Sequence, residues 1–121
     1  MMFELSVERE FCAAHAIVID GEREPVHGHN WRVSVAIEGE ELDENGLLVD
    51  FHDLERRIDR IIEPFDNADL NAQPPFDERN PTAEHVAQHI GESISADLPE
   101  RVRLLRVTIS EAPGCQATWR P

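Results

Sequence analysis

The chain has 121 residues, enough for one domain with a hydrophobic core and too few for two. Its 25 acidic against 11 basic residues give a net charge of −14, which repels nucleic acid and anionic membranes, so we expect neither as a partner. No apolar run approaches the roughly 20 residues of a membrane helix, and no secretory signal is visible. The composition therefore predicts a single cytoplasmic domain over residues 1–121.

Two β-strands are predicted at the start of the chain from the alternation of apolar and polar residues. In residues 3–15 the odd positions are mostly apolar, and His15 continues their phase. Residues 31–38 repeat this alternation. Extending its parity backwards puts His27 and His29 on the same face. We therefore expect three histidines on the apolar side of the sheet.

The rest of the chain predicts two helices and a second pair of strands. Apolar residues step at helical spacing from 49 to 62, and residues 65–79 form a long loop that is unusual unless it is functional or bracing. Asn80 is placed as the N-cap of a second amphipathic helix. Residues 101–111 and 114–120 read as a strand pair. The element order is ββααββ, which indicates an α+β domain.

The three histidines form the strongest candidate site. Side chains two apart on a strand point to one side, so His27 and His29 lie roughly 6.5 Å apart at their Cα atoms. Catalytic zinc usually takes three protein ligands and keeps a fourth position open, and His15 on the preceding strand supplies the third. The phase of the three residues predicts a zinc site.

Other interpretations of the histidines remain open. Any one of the three could be an ordinary histidine with satisfied hydrogen bonds. His85 and His89, four apart on the second helix, could form another metal site, but a solvated helix face explains them better because no third ligand is indicated nearby.

Glu111 is unusual because it continues an apolar phase. Leu105, Val107 and Ile109 precede it at alternate positions, which places its carboxylate at the inner end of a strand. A buried carboxylate needs a partner. Glu111 is either a residue at the sheet margin or a bidentate acceptor for an N–H and NH₂ edge such as that of a pterin ring.

Six motifs follow one another along nearly the whole chain. They are Phe11-Cys12-Ala13-Ala14-His15, His27-Gly28-His29-Asn30-Trp31, Leu48-Val49-Asp50-Phe51, Phe65-Asp66 with Leu70-Asn71, Asn80-Pro81-Thr82-Ala83-Glu84, and Ser110-Glu111. In this order and spacing the chain resembles the family of 6-pyruvoyl-tetrahydropterin and 6-carboxy-tetrahydropterin synthases, which have the tunnelling fold.

The resemblance implies a fold, a cofactor and an activity. It implies an antiparallel four-stranded sheet with two helices on one face, and subunits that join into a barrel, as a trimer or hexamer with sites between subunits. Zinc would be held by His15, His27 and His29, with Glu111 anchoring the pterin and Thr82 near it. The implied activity is that of a zinc-dependent carbon–oxygen or carbon–carbon lyase on 7,8-dihydroneopterin triphosphate or a related dihydropterin.

The groups that move protons in this family are only partly present. The position of the usual cysteine, four residues before the His-Gly-His motif, holds Arg23, and the histidine that usually follows Asp66 is Asn67. Cys12 has the parity of the opposite face of its strand. We therefore hypothesise that Glu24 is the general base and that Asp66 tunes proton transfer. The alternative is that the loop around Glu24 is merely charged and solvated.

The sequence leaves the reaction outcome open. Retro-aldol cleavage of the side chain competes with formation of a carboxy or pyruvoyl product. Two other functional classes also remain, a zinc- and pterin-binding module without catalysis and a zinc hydrolase acting on another heterocycle.

Overall fold

A computed structural model describes residues 1–121 and contains the long elements in the predicted order. The strands are β1 (Phe3–His15), β2 (Val18–Ile19), β3 (Glu22–Arg23), β4 (His27–Gly39), β5 (Ala68–Asp69), β6 (Arg103–Ala112) and β7 (Cys115–Trp119), and the helices are α1 (Phe51–Ile62) and α2 (Ala83–Asp97). The α+β class is confirmed. Neither helix has the length and apolar character that a membrane span requires.

The main sheet has five strands in the order β5-β1-β4-β6-β7, and β5 runs parallel to β1. The expectation of a purely antiparallel four-stranded sheet was therefore wrong. The cause is the long loop after α1, which passes beside the edge of β1. There the N–H of Asn67 donates to the carbonyl of Cys12 over 2.6 Å, and the N–H of Cys12 donates to the Asp66 carboxylate over 3.1 Å.

The hydrophobic core lies between the sheet and the two helices. The odd residues of β4 from Trp31 to Ile37 are fully buried, because β4 is the central strand. Phe11 of β1 stacks on Trp31 with ring centroids 5.9 Å apart. Burial of each large apolar side chain contributes about 1.5–3 kcal/mol. The helices supply Leu54, Ile58, Val86, Ile90 and Ile94 to the same core.

The predicted phase of β6 is wrong at one residue. Leu104, not Leu105, is buried and joins Val107 and Ile109 in the core. The ladder between β4 and β6 shifts register at the Ala36–Ile37 step, so that Leu105 is an extra residue. A β-bulge of this kind reverses the facing of the residues before it.

The prediction of Asn80 as the N-cap of α2 was also wrong. Thr82, and not Asn80, caps the helix, with its Oγ1 accepting from the N–H of His85 over 3.1 Å. Asn80 instead bonds through its side chain to the backbone of Val18. For α1 the cap is Asp50, which accepts from the N–H of the second helical residue.

Alanine at Gly91 is expected to destabilise the protein. Gly91 is buried on α2, and a Cβ there would overlap the indole ring of Trp119 on β7. Overpacking typically costs about 1–3 kcal/mol, more than the helix propensity that alanine adds. Urea denaturation should show the lower free energy of unfolding. Ser95→Ala, at an exposed site on the same helix, should not lower it, and a fully stable Gly91→Ala protein would contradict the packing.

Candidate metal centre

Three imidazole rings converge where β1 ends and β4 begins. His15 lies opposite His27 in the antiparallel register, and His29 lies two residues further along β4. The Nε2 atoms of His15 and His27 are 3.1 Å apart, and one nitrogen from each ring lies within 4.8 Å of the others. Alternation along the two strands is what turns all three rings to one side.

Backbone carbonyls determine which nitrogen of two rings carries the proton. Nδ1 of His15 lies 2.8 Å from the carbonyl oxygen of Pro81, and Nδ1 of His27 lies 3.0 Å from that of Pro25. A carbonyl oxygen only accepts, so each Nδ1 donates and each neutral ring keeps a lone pair on Nε2. The two Nε2 lone pairs therefore face each other over 3.1 Å. A bound cation between them would turn this repulsive contact into two favourable ones.

His29 presents a third nitrogen without a partner. Its Nε2 is buried and makes no hydrogen bond. Burial lowers the pKa of His29, and the positive charges of His15 and His27 would lower it further, while Glu111 opposes the shift. The ring is therefore held neutral, as a metal ligand must be. Three imidazole nitrogens that lie within 4.8 Å of one another fit zinc, which favours nitrogen donors.

Two carboxylates flank the histidine cluster. Glu111 Oε1 lies 3.7 Å from Nε2 of His15, and Glu24 Oε1 lies 3.7 Å from Nδ1 of His27. Both side chains are about one third exposed or less. Glu111 lies at a second irregularity of the ladder, between Ser110 and Ala112, which leaves it outside the pairing with β7. Both negative charges favour a cation at the cluster. Glu111 lies beside the ring nitrogen of His15 that faces the other histidines, whereas Glu24 lies beside the ring nitrogen of His27 that bonds to the Pro25 carbonyl.

The other two predicted site residues lie elsewhere in the chain. Asp66 is exposed at the edge of β1, where its carboxylate accepts from the N–H of Cys12, and it lines a charged cleft of about 690 Å³ beside Arg9 and Arg60. Within one chain the structure does not bring Asp66 to the histidines. Thr82 is half-buried at the start of α2, directly after the carbonyl that orients His15.

The second histidine pair does not form a metal site. Nδ1 of His85 bonds to the carbonyl of Asn80 over 2.7 Å. His89 packs against the rings of Phe65 and Phe76 at centroid distances of 5.6 Å, and burial, followed by the nearby Arg79 charge, lowers its pKa. His15, His27 and His29 form the one cluster of three metal-binding side chains.

Several supporting contacts were not visible in the sequence. The carbonyls of Pro81 and Pro25 are backbone groups that every residue has, so no pattern singles them out. Trp31 contacts His15 edge-on at 4.8 Å between centroids, and its Nε1–H donates to the carbonyl of Ala13 over 3.1 Å. The tryptophan thus forms a rigid apolar floor under the cluster. The only sequence signal for this role was that Trp31 shares the alternation of His27 and His29, which places it on the same face of the strand.

Comparisons with known proteins give a consistent result. The family model for 6-pyruvoyl tetrahydropterin synthase matches residues 4–121. A dihydroneopterin monophosphate aldolase of Pyrococcus furiosus is 35% identical over 111 residues, covering 90% of this chain and 91% of that protein. The 6-carboxy-5,6,7,8-tetrahydropterin synthase of Bacillus subtilis is 30% identical over 128 residues, covering 98% and 86%. The structure of the Caenorhabditis elegans 6-pyruvoyl tetrahydropterin synthase superposes with a TM-score of 0.87 at 22% identity, covering 100% and 96% of the two chains.

Proposed function

Because the chain belongs to the 6-pyruvoyl tetrahydropterin synthase family, we propose that it is a zinc-dependent lyase acting on 7,8-dihydroneopterin triphosphate or a closely related dihydropterin. Its relatives support a function in pterin metabolism. The observation that carries the proposal is the cluster of His15, His27 and His29, whose ring nitrogens converge within 4.8 Å and in which Nε2 of His29 is buried without a partner.

The three histidines would hold the metal, and the surrounding contacts keep them ready for it. The Pro81 and Pro25 carbonyls hold the tautomers of His15 and His27. When bound there, zinc would supply Lewis-acid chemistry to the substrate. Hydrogen bonds that orient ligand rings from behind typically matter about 10- to 100-fold for metal affinity.

Glu111 is the proposed anchor of the pterin ring. No donor of its own chain bonds to its carboxylate, and His15 Nε2 at 3.7 Å is its nearest ionic neighbour. A carboxylate offers two acceptor oxygens in the spacing that parallel N–H and NH₂ groups require. A cleft of about 580 Å³ lined by Glu111, His29 and Gln116 adjoins it.

Glu111→Gln is expected to weaken pterin binding without removing zinc. The amide keeps one acceptor but turns its NH₂ group against a donor of the ring. Loss of a charged hydrogen bond costs about 1.5–3 kcal/mol, which is about 10- to 100-fold in Kd. Titration calorimetry with a dihydropterin would measure it. Glu44→Gln, an exposed loop residue with the same charge change, is the control; equal affinity of both variants would reject the anchor.

Retro-aldol cleavage is the reaction that the remaining groups support best. Glu24 takes the proton of the hydroxyl on the second side-chain carbon, and the bond between the first and second carbons breaks. The second carbon leaves as an aldehyde, and the electron pair enters the ring imine before the first carbon is reprotonated. One base on a hydroxyl suffices for this step, which suits a site with Arg23 in the position of the family's cysteine. The similarity to a dihydroneopterin monophosphate aldolase supports the same outcome.

Incubation of zinc-loaded protein with the mono- and triphosphates of 7,8-dihydroneopterin, followed by chromatography of the pterins, tests the function. We expect consumption of one of them and a 6-hydroxymethyl-dihydropterin product. A carboxy or pyruvoyl product would be consistent with a lyase but would reject the retro-aldol reaction. No consumption of either would reject the enzymatic proposal.

The second candidate is a zinc- and pterin-binding module without catalysis. The replacement of two proton-handling groups by Arg23 and Asn67 favours it. Tight binding of a dihydropterin without turnover would establish this function instead.

We propose that Asp66 serves a site shared with a neighbouring copy of the chain in a trimer or hexamer. It lies at the β1 edge, away from the histidines of its own chain. Light scattering coupled to size-exclusion chromatography should give a mass of three or six subunits, and a monomer at micromolar concentration would contradict the arrangement.

A further inference from the structure

The backbone directly after His15 is held by side-chain amides. The N–H of Ala16 donates to Oδ1 of Asn71 over 2.8 Å, and Nδ2 of Asn71 donates back to the carbonyl of Ala16 over 2.9 Å. The N–H of Val18 donates to Oδ1 of Asn80, and Nδ2 of Asn80 donates to the carbonyl of Val18, both over 2.9 Å. Each amide thus pairs with both polar groups of one residue, as a neighbouring strand would.

Ile17, which lies between Ala16 and Val18, is hydrogen-bonded to Glu24. The N–H of Ile17 donates to Oε1 of Glu24 over 3.1 Å, and the N–H of Glu24 donates to the carbonyl of Ile17 over 3.0 Å. Glu24 follows β3, whose pairing with β2 closes the hairpin. The position of the Glu24 carboxylate relative to His27 therefore depends on where Ile17 is held.

Both clamping residues are themselves anchored. Asn71 lies in a short 3₁₀ turn next to Leu70, which is completely buried, and its N–H donates to the Asp69 carboxylate over 3.0 Å. The carbonyl of Asn80 accepts from Nδ1 of His85 at the start of α2. Asn71 lies in the middle of the segment between α1 and α2, and Asn80 lies near its end, just before α2.

The backbone of Val18 does not need the Asn80 side chain to satisfy its hydrogen bonds. Val18 is 44% exposed and its neighbour Ile19 is 59% exposed, so water has access to this part of the chain. A hydrogen bond at such a site adds little net stability, because water competes for the same groups. At Ala16, which is fully buried, the Asn71 amide also satisfies backbone groups that water does not reach. At the exposed Val18, the Asn80 amide chiefly limits the movement of the hairpin.

We propose that Asn71 and Asn80 are positioning residues that hold residues 16–18 and, through Ile17, fix the Glu24 carboxylate beside His27. The proposal rests on the proposed function, in which Glu24 is the base. Small displacements of a reacting group lower the reaction rate steeply. Loss of a positioning residue should therefore lower kcat while substrate and zinc binding stay unchanged.

The test compares Asn80→Ala with the parent protein in two independent measurements. Amide hydrogen exchange by NMR should show faster exchange at Ile17 and Glu24, with the amides of α2 unchanged. With zinc-loaded protein, kcat should fall by about 100-fold, while KM and zinc content stay as in the parent. In a Glu24→Gln background the same change should lower kcat no further, because Asn80 acts through Glu24.

Asn71→Ala loosens the same backbone from the other side and is measured alongside, in case one variant does not fold. Asn45→Ala, at an exposed turn whose side chain makes no hydrogen bond, is the matched control. Unchanged exchange at Ile17 and Glu24 in either folded variant would overturn the proposal, as would an undiminished kcat or additive effects with Glu24→Gln. A parent protein that turns over no dihydropterin rejects the proposed function instead, and the exchange measurement still decides whether the clamps hold Glu24.

Discussion

His27→Ala is expected to lose stoichiometric zinc. The substitution removes one of three converging nitrogens, the Nε2 that faces His15 Nε2 over 3.1 Å. Loss of an orienting hydrogen bond behind a ligand costs about 10- to 100-fold in metal affinity, and loss of the ligand itself should cost more. Elemental analysis after dialysis, with chelator competition for the remaining affinity, measures the effect.

The control for this variant is His52→Ala. His52 is 81% exposed at its side chain on α1 and pairs only with Glu55. It should keep the parent zinc content. One zinc per chain in His27→Ala would mean that the ligands are other residues, since two imidazoles alone do not make a tight site.

Glu24→Gln is expected to lower turnover by about 100- to 10,000-fold, the usual contribution of a general base. Glutamine keeps an oxygen that can accept from the N–H of Ile17, so the hairpin should retain its position. Zinc content and pterin affinity should remain close to those of the parent. Single-turnover kinetics of the zinc-loaded protein, with binding measured separately, would resolve the two effects.

Glu22→Gln is the matched control for the base. It makes the same change two residues earlier in β3, at an exposed side chain without a hydrogen bond. Its turnover should match the parent. If Glu24→Gln also kept full turnover, the base would have to be another group and the segment would be only a charged loop.

These two variants affect separate parts of the site. The metal ligands come from β1 and β4, whose long antiparallel register sets their spacing. The proposed base, Glu24, follows a two-stranded hairpin outside the main sheet, and the chain before that hairpin is hydrogen-bonded by Asn71 and Asn80. We therefore expect the metal-binding and catalytic effects of the two variants to be separable.

Alternation along β1 and β4 was sufficient to predict the shared face of the three histidines. Side chains on a strand alternate with a period of two, so parity is a local property of the sequence. The same reasoning failed at Leu105, because a bulge is set by pairing with β4 and leaves no mark in the strand itself. It succeeded for Val107 and Ile109, which follow the bulge.

The assignment of Asn80 shows a different limit. Asparagine before proline and an amphipathic run is a good N-cap signal, but Thr82 takes that position because the side chain of Asn80 bonds to Val18, 62 residues away along the chain. Local propensity could not include that competing partner. The same long-range contact is what links the loop to the hairpin.

The sequence by itself determined the element order, the side of the sheet on which His15, His27 and His29 lie, and the residue types available for chemistry, because these follow from local periodicity and side-chain identity. Only the tertiary structure decided the tautomers of the ring nitrogens, the parallel strand at the sheet edge and the position of Glu24. Those features depend on backbone carbonyls and amides that every residue has, and on which of them the folded chain brings within hydrogen-bonding distance.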